Sequence, residues 1–173
     1  VIVYGTSNME KDAEVLPAVA EACQGISLVI GPVQDQNYKK IGAAALGYNH
    51  SLSANSPIDV NLAKQLNILL GQLGVKDTQI LVDPTTGGLG YGLEYSYSVM
   101  ERDRMAALTQ EDEKLQLPIL NYLGQEVWKV KECKLSNEEA PGLGDQETRG
   151  ILMEAITAVS LLLAGADLLV MRH

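Results

Sequence analysis

Polar side chains collect where short apolar runs end. VIVYG from Val1 leads into Thr6-Ser7-Asn8, HSLSA from His50 into Asn55-Ser56, QILVD from Gln79 into Asp83-Pro84-Thr85-Thr86, and PILNY from Pro118 into Asn121-Tyr122. SLVIG from Ser27 stops at Gly31-Pro32, and DLLVM from Asp167 at Arg172-His173. Amides and carboxyls grouped at one rim predict a hydrogen-bonding surface for a polar heterocycle. The same Asn8, Asn55 and Asp83 could instead cap helices or shape turns. No Lys closes a strand-like run, which counts against a Schiff-base aldolase. Only two His exist, His50 opens a run, and no His/Glu cluster has metal-ligand spacing.

The segment after Asp83 reads PTTGGLGYGLEYSYSVMER. Gly88, Gly90 and Gly92 alternate, whereas a dinucleotide fingerprint needs G-x-G-x-x-G and a P-loop needs Gly-Lys-Ser/Thr. A phosphate cradle is therefore disfavoured. Glycine at these positions predicts close backbone approach, to a helix below or a flat ligand above. Tyr91, Tyr95 and Tyr97 flank the loop and are expected to pack with the following helix.

The elements that position these residues follow from periodicity. Runs rich in Val, Ile and Leu, bounded by Gly, Pro, Asn or Asp, read as buried strands. Helical patterns lie between them. Lys11 to Cys23 carries Val15, Leu16, Val19 and Ala22 on one face. Pro57 to Leu73 carries Leu62, Leu66, Leu69, Leu70 and Leu73. Ser56 is the expected cap of the second helix, with Pro57 at its first position and Asp59 in its first turn. Gly74 and Gly165 fall where a left-handed residue ends a helix.

Strands alternating with helices predict a parallel α/β sheet, either open and doubly wound or a (β/α)8 barrel. Six strands fall short of eight. A chain that starts and stops on a strand reads as a segment lacking its first βα units and its last helix. Between Tyr122 and Arg149 runs a long connection, and such connections are often functional. It holds the only tryptophan, Trp128, either an interface anchor or a buried lid residue.

Composition narrows the function. Net charge is −9 with no Lys/Arg cluster, so a nucleic-acid partner is disfavoured. The most apolar stretch, Ala155 to Ala166, is too short to span a bilayer. Cys23 and Cys133 alone cannot ligate zinc or an iron–sulfur cluster and read as reduced thiols of a cytoplasmic protein.

Nearly the whole chain resembles one family, through MEKDAEVLPAVAEA, SPIDVNLAKQLNILL, DPTTGGLGYGLEYSYSVMER, LGQEVWKVKE, TRGILMEAITA and LLVMRH. The family is the small subunit of the corrinoid iron–sulfur protein of the reductive acetyl-CoA (Wood–Ljungdahl) pathway. Its archaeal counterpart is the delta subunit of the acetyl-CoA decarbonylase/synthase complex. The resemblance implies a (β/α)8 TIM barrel, of which residues 1–173 form one partial domain, roughly strands three to eight. It implies a cobalt corrinoid shared with a large subunit that also holds the iron–sulfur cluster. A methyl group would arrive from methyltetrahydrofolate through a separate methyltransferase and leave for acetyl-CoA synthase/carbon monoxide dehydrogenase. On that reading the chain is a carrier subunit without catalytic residues of its own. Asn8, Asn55, Asp83, Thr85, Gly87 and Asn121 are assigned to the corrinoid face from their strand-end positions. A pterin-binding methyltransferase barrel and a structural docking scaffold are the competing readings.

Overall fold

The computed structural model describes residues 1–6 and 8–173; Ser7, within the first strand-end cluster, lies outside the described residues. Each expected apolar run forms a strand: β1 (Ile2–Tyr4), β2 (Val29–Val33), β3 (Ser51–Asn55), β4 (Ile80–Asp83), β5 (Leu120–Asn121) and β6 (Leu168–Leu169). The first four pair in parallel in chain order, and β5 pairs in parallel with β6. A parallel bridge between Val82 and Ile119 joins the two sheets. There the Val82 N–H donates to the Pro118 carbonyl at 2.8 Å. Strand order therefore never reverses among the described strands, whereas a doubly wound sheet reverses at its switch point.

Helices α1 (Met9–Ala22), α2 (Tyr38–Tyr48), α3 (Val60–Gln72) and α4 (Leu93–Thr109) fill the first four crossovers. The fifth carries α5 (Leu123–Val127) and α6 (Gln146–Leu163). The core lies between sheet and helices. Ile30, Leu52 and Ile80 from the strands and Ile119 from the bridge before β5 meet Leu16, Ile41, Leu66, Leu70, Met100 and Leu161 from the helices, all buried. Such side chains each contribute roughly 1.5–3 kcal/mol on full burial. No described helix is long and apolar enough to cross a membrane.

Two helix boundaries differ from expectation. Helix α3 starts at Val60, and its cap is Asp59, whose carboxylate accepts from the N–H groups of Asn61 (2.8 Å) and Leu62 (3.1 Å). Ser56 is not the cap and Pro57 is not the first helical residue. Ile58 between them takes a left-handed φ of 51°, which breaks the helical path. Helix α1 buries Asp12, Leu16 and Ala20, with Val19 half-buried against the core. Val15 and Ala22 are exposed, because the inward stripe follows i, i+4, i+8 from a carboxylate that an apolar count passes over. Gly74 and Gly165 do take left-handed φ values, 99° and 109°. His50 sits buried at the start of β3, its Nδ1 accepting from the Leu28 N–H at 3.4 Å and its Nε2 2.9 Å from the Ala20 carbonyl oxygen.

Candidate functional site

The carboxyl ends of β2, β3 and β4 are tied by a chain of hydrogen bonds. Gln34, just past β2, donates through Nε2 to Asn55 Oδ1 at 2.6 Å. Asn55 closes β3 and donates through Nδ2 to Asp83 Oδ2 at 2.9 Å and to Thr85 Oγ1 at 2.8 Å. The Thr85 N–H returns to Asp83 Oδ1 at 2.9 Å. Strand register brings Asn55 beside Asp83, so two residues distant in sequence form one polar unit. Thr85 pays for this turn with a left-handed φ of 67°.

Asp83 is 2% exposed. Burial pushes its pKa up to about 6, against the downward pull of the Thr85 N–H and the Asn55 amide, and Glu126 adds to the rise. With no cation among its partners, the buried carboxyl is cheaper to hold protonated.

From the tip of β1, the Tyr4 ring packs on Tyr122 after β5, centroids 4.3 Å apart and tilted by 56°. Burial pushes the Tyr122 phenol up to about 12, Ser53 lowers it, and Asp83 raises it. Burial likewise raises Tyr4, with Asp83 the next cause. The Ser53 and Tyr122 hydroxyls approach each other, yet neither makes a hydrogen bond of regular geometry. Asn121, fully buried, donates to Thr86 Oγ1 at 3.4 Å and leaves its Oδ1 without a partner. Tips of β1, β3, β4 and β5 thus meet at one end of the sheet.

The six assigned residues divide by exposure. Asn55, Asp83 and Asn121 are buried, Thr85 is half-buried, and Gly87 and Asn8 are exposed. Asn8 is the cap of α1, accepting from the Lys11 N–H at 3.1 Å. It stands apart from the hydrogen-bonded group. Asp12 braces the same corner, accepting from the Thr6 N–H and hydroxyl at 2.6 and 2.8 Å.

The glycine segment makes a pair of tight turns. Gly92 and Tyr91 N–H groups donate to the Gly88 carbonyl at 2.7 and 3.0 Å. A Cβ on Gly88 would lie 2.6 Å from the Gly92 carbonyl oxygen, so only glycine permits this turn. Gly87, Gly90 and Tyr91 line a cleft of about 440 Å³ together with Glu126, Lys129, Lys131 and Glu132. The tyrosines do not pack as expected. Tyr91 is 94% exposed at the turn and Tyr95 is 59% exposed, while Tyr97 alone packs against the core. Tyr91 precedes the helix, so no helical face carries it inward.

The long connection is folded onto α6. Trp128 donates through Nε1 to Glu154 at 3.2 Å, and its ring covers Gly150, where a Cβ would meet the indole at 2.5 Å. Arg172 lies 4.9 Å above that ring. Arg149 gathers the connection, donating to the carbonyls of Glu132, Leu135, Leu143 and Gly144. Cys23 and Cys133 are free thiols.

Sequence reasoning left out Gln34, Ser53 and Tyr4, and named Thr86 at its strand end without assigning it to the site. Ser53 was findable, because strand side chains two apart share a face and Asn55 marks that face. The Tyr4–Tyr122 contact needs the curvature of the sheet, which no local pattern carries.

The molecule is therefore a parallel α/β domain, wound in sequential strand order, with a hydrogen-bonded polar rim at the strand ends. The family model for the CO dehydrogenase/acetyl-CoA synthase delta subunit matches residues 1–173, and the chain belongs to that family. It is 39% identical over 174 residues to the acetyl-CoA decarbonylase/synthase complex subunit delta of Methanopyrus kandleri, covering all of this chain and 42% of that protein. Identity is 36% over 178 residues to the corresponding subunits of Methanosarcina mazei and Archaeoglobus fulgidus, covering all of this chain and 40% and 39% of those proteins. The chain spans about two fifths of the length of the curated relatives it matches.

Proposed function

We propose that this chain is barrel-forming sequence of a corrinoid-dependent methyl-carrier subunit of the reductive acetyl-CoA pathway. On this reading its six sequential parallel strands belong to a (β/α)8 barrel, and the rim at their carboxyl ends covers a cobalt corrinoid. Family membership supports the reading. The single observation that carries it is the hydrogen-bonded connection of the rim, from Gln34 through Asn55 to Asp83 and Thr85.

A corrinoid macrocycle is edged with neutral amides, and these residues fit it. Gly87 and Thr85 offer a small, open approach, and Asn121, whose Oδ1 has no partner, is bonded to the neighbouring Thr86. The bound corrinoid would supply the cobalt that accepts and releases the methyl group. The chain's own part is to position, cover and exclude water. Thr85 and Gly87 would face the cofactor, with Asn55 and Asp83 bracing Thr85 and Asn121 bonded to the neighbouring Thr86; Asn8, the cap of α1, stands outside this group. Asp83, with its raised pKa, adds no fixed negative charge there at mildly acidic pH. The iron–sulfur cluster belongs on the large subunit. The large subunit, a methyltetrahydrofolate methyltransferase and acetyl-CoA synthase/carbon monoxide dehydrogenase are the partners, in the cytoplasm.

The pterin-methyltransferase reading is weaker, because the Asn55 and Asp83 groups that would read a pterin are already spent on each other. A docking scaffold centred on Trp128 is weaker too, since that indole is engaged by Glu154 and Gly150. The test is the intact mass and visible absorption spectrum of the purified complex containing the full-length subunit. A second chain and a cobalt corrinoid together are expected. Tight methyltetrahydrofolate binding by the full-length subunit alone, without corrinoid in the complex, would overturn the proposal.

A further inference from the structure

One hydrogen of the rim network is uncommitted, and the other bonds fix where it points. Gln34 Nε2 donates to Asn55 Oδ1 at 2.6 Å, so that end of the Asn55 amide is the acceptor. Nδ2 at the other end carries two hydrogens. One goes to Asp83 Oδ2 at 2.9 Å and the other to Thr85 Oγ1 at 2.8 Å. Thr85 is held at its remaining polar atoms as well. Its N–H donates to Asp83 Oδ1 at 2.9 Å, and its carbonyl accepts from the Ser96 hydroxyl at 3.0 Å. Its methyl lies against Gly87, where a Cβ would stand 3.2 Å away. The side chain is therefore locked, and only the hydroxyl hydrogen can turn.

That hydrogen cannot turn inward. Oγ1 already accepts from the Asn55 NH2, which has no capacity to accept a hydrogen in return. Among the described residues the Thr85 hydroxyl donates to no acceptor. Thr85 is half-buried and sits beside the exposed Gly87, so the network offers a donor at the strand ends. Gln34 is placed to enforce this. Its N–H donates to Asn37 Oδ1 at 2.8 Å, and its carbonyl accepts from the Asn37 and Tyr38 N–H groups at 3.1 and 2.9 Å. The start of α2 thus clamps its backbone while its side chain reaches β3. Were the Asn55 amide turned over, its Oδ1 would face Thr85 and take the hydroxyl hydrogen inward.

We infer that Thr85 donates its hydroxyl hydrogen to an amide carbonyl oxygen on the edge of the bound corrinoid, and that Gln34, acting through Asn55, is the positioning residue that keeps this hydrogen turned outward. The inference rests on the corrinoid reading above and gives one of its contacts a polarity. A lone outward donor matches a carbonyl and mismatches the N–H groups of a pterin.

The experiment titrates hydroxocobalamin into the corrinoid-free complex containing the full-length subunit and follows the visible absorption. Thr85→Val keeps the branched shape and removes the hydroxyl. Gln34→Glu replaces the donor with a carboxylate, which draws Nδ2 and turns the Asn55 amide over. Each variant should raise the dissociation constant about three- to tenfold, the range of one neutral hydrogen bond. Together they should weaken binding no further than Thr85→Val alone, because both remove the same hydrogen. Thr85→Ser should bind like wild type. Additive losses in the pair would make Gln34 a merely structural residue and overturn its role. Unchanged affinity with Thr85→Val would mean that another part of the protein takes the hydrogen, and would overturn the whole inference. Should Gln34→Glu fail to fold, Gln34→Met supplies the same cycle, with a smaller loss that also vanishes beside Thr85→Val. A wild-type complex that takes up no hydroxocobalamin would instead overturn the corrinoid reading itself, which sets that failure apart from the others.

Discussion

The rings of Tyr4 and Tyr122 lie 4.3 Å apart, which sets the tip of β1 against the tip of β5. Three strands separate them along the sheet, so the contact exists only because the sheet curls. A tilted aromatic pair contributes about 0.5–1.5 kcal/mol beyond area burial. A double-mutant cycle on Tyr4→Ala and Tyr122→Ala, read by urea unfolding, should return a coupling energy in that range. Tyr122→Phe separates ring from hydroxyl. Its hydroxyl approaches Ser53 without a hydrogen bond of regular geometry, so the variant should be neutral or more stable by up to about 1 kcal/mol. A loss above about 1 kcal/mol would mean that the hydroxyl is satisfied after all.

Asp103 on α4 is a second buried carboxyl, with both oxygens unpartnered. Burial pushes its pKa up to about 6, and Arg104 and Arg102 pull it down less strongly. The folded pKa lies above the ordinary aspartate value of 3.8, so protonation favours the folded state. The stability it allows is fully present below about pH 4 and is lost as pH rises through about 6. Asp103→Asn should therefore flatten the melting temperature between about pH 4 and 7. At pH 7 to 8 it should raise stability by about 2 kcal/mol. Thermal melts across that range check both.

Asp83 has the same shift but a different neighbourhood. Its oxygens accept from the Thr85 N–H and the Asn55 amide, and an asparagine there would set one NH2 against another. Asp83→Asn should remove the corresponding pH dependence yet gain nothing at neutral pH, costing about 1–3 kcal/mol through the disrupted Asn55 bond. A variant as stabilised as Asp103→Asn would show that the rim network is not held by these bonds.

Much of this architecture was legible in the sequence because strands and caps are local. Six apolar runs bounded by Gly, Pro, Asn or Asp gave six strands, and Gly74 and Gly165 end their helices left-handed as expected. What the pattern missed depends on geometry beyond the window. Ser56-Pro57 has the chemistry of a helix start, but the left-handed Ile58 moves the start to Asp59. Strand-end position located Asn55, Asp83 and Asn121, yet could not distinguish residues facing outward from those buried under them. Asn8 reads like Asn55 in sequence and does a different job, because it sits at a helix cap.

The corrected cap makes its own prediction. Asp59→Ala removes the acceptor for two N–H groups of α3 and should cost about 1 kcal/mol. The buried Ser56 hydroxyl has no partner, so Ser56→Ala should stay within about 0.5 kcal/mol of wild type or slightly above it. Chemical denaturation of the pair compares them directly. A larger loss at Ser56 would restore it as the start of the helix.

Gly150 tests how firmly the long connection is seated. Exchanging an ordinary helical glycine for alanine gains up to about 1 kcal/mol of helix propensity. Here the new methyl would meet the Trp128 ring at 2.5 Å. Either the indole moves, breaking its bond to Glu154 and leaving that carboxylate buried with one acceptor idle, or α6 shifts outward. Overpacking of this kind costs about 1–3 kcal/mol, so Gly150→Ala should be net destabilising, contrary to the propensity rule. Trp128 fluorescence reads the local event, since displacement of the indole from beneath Arg172 changes its environment. A stabilised variant with an unchanged emission spectrum would show that Trp128 is only loosely laid over α6, and would return it to the pool of residues free to meet a partner.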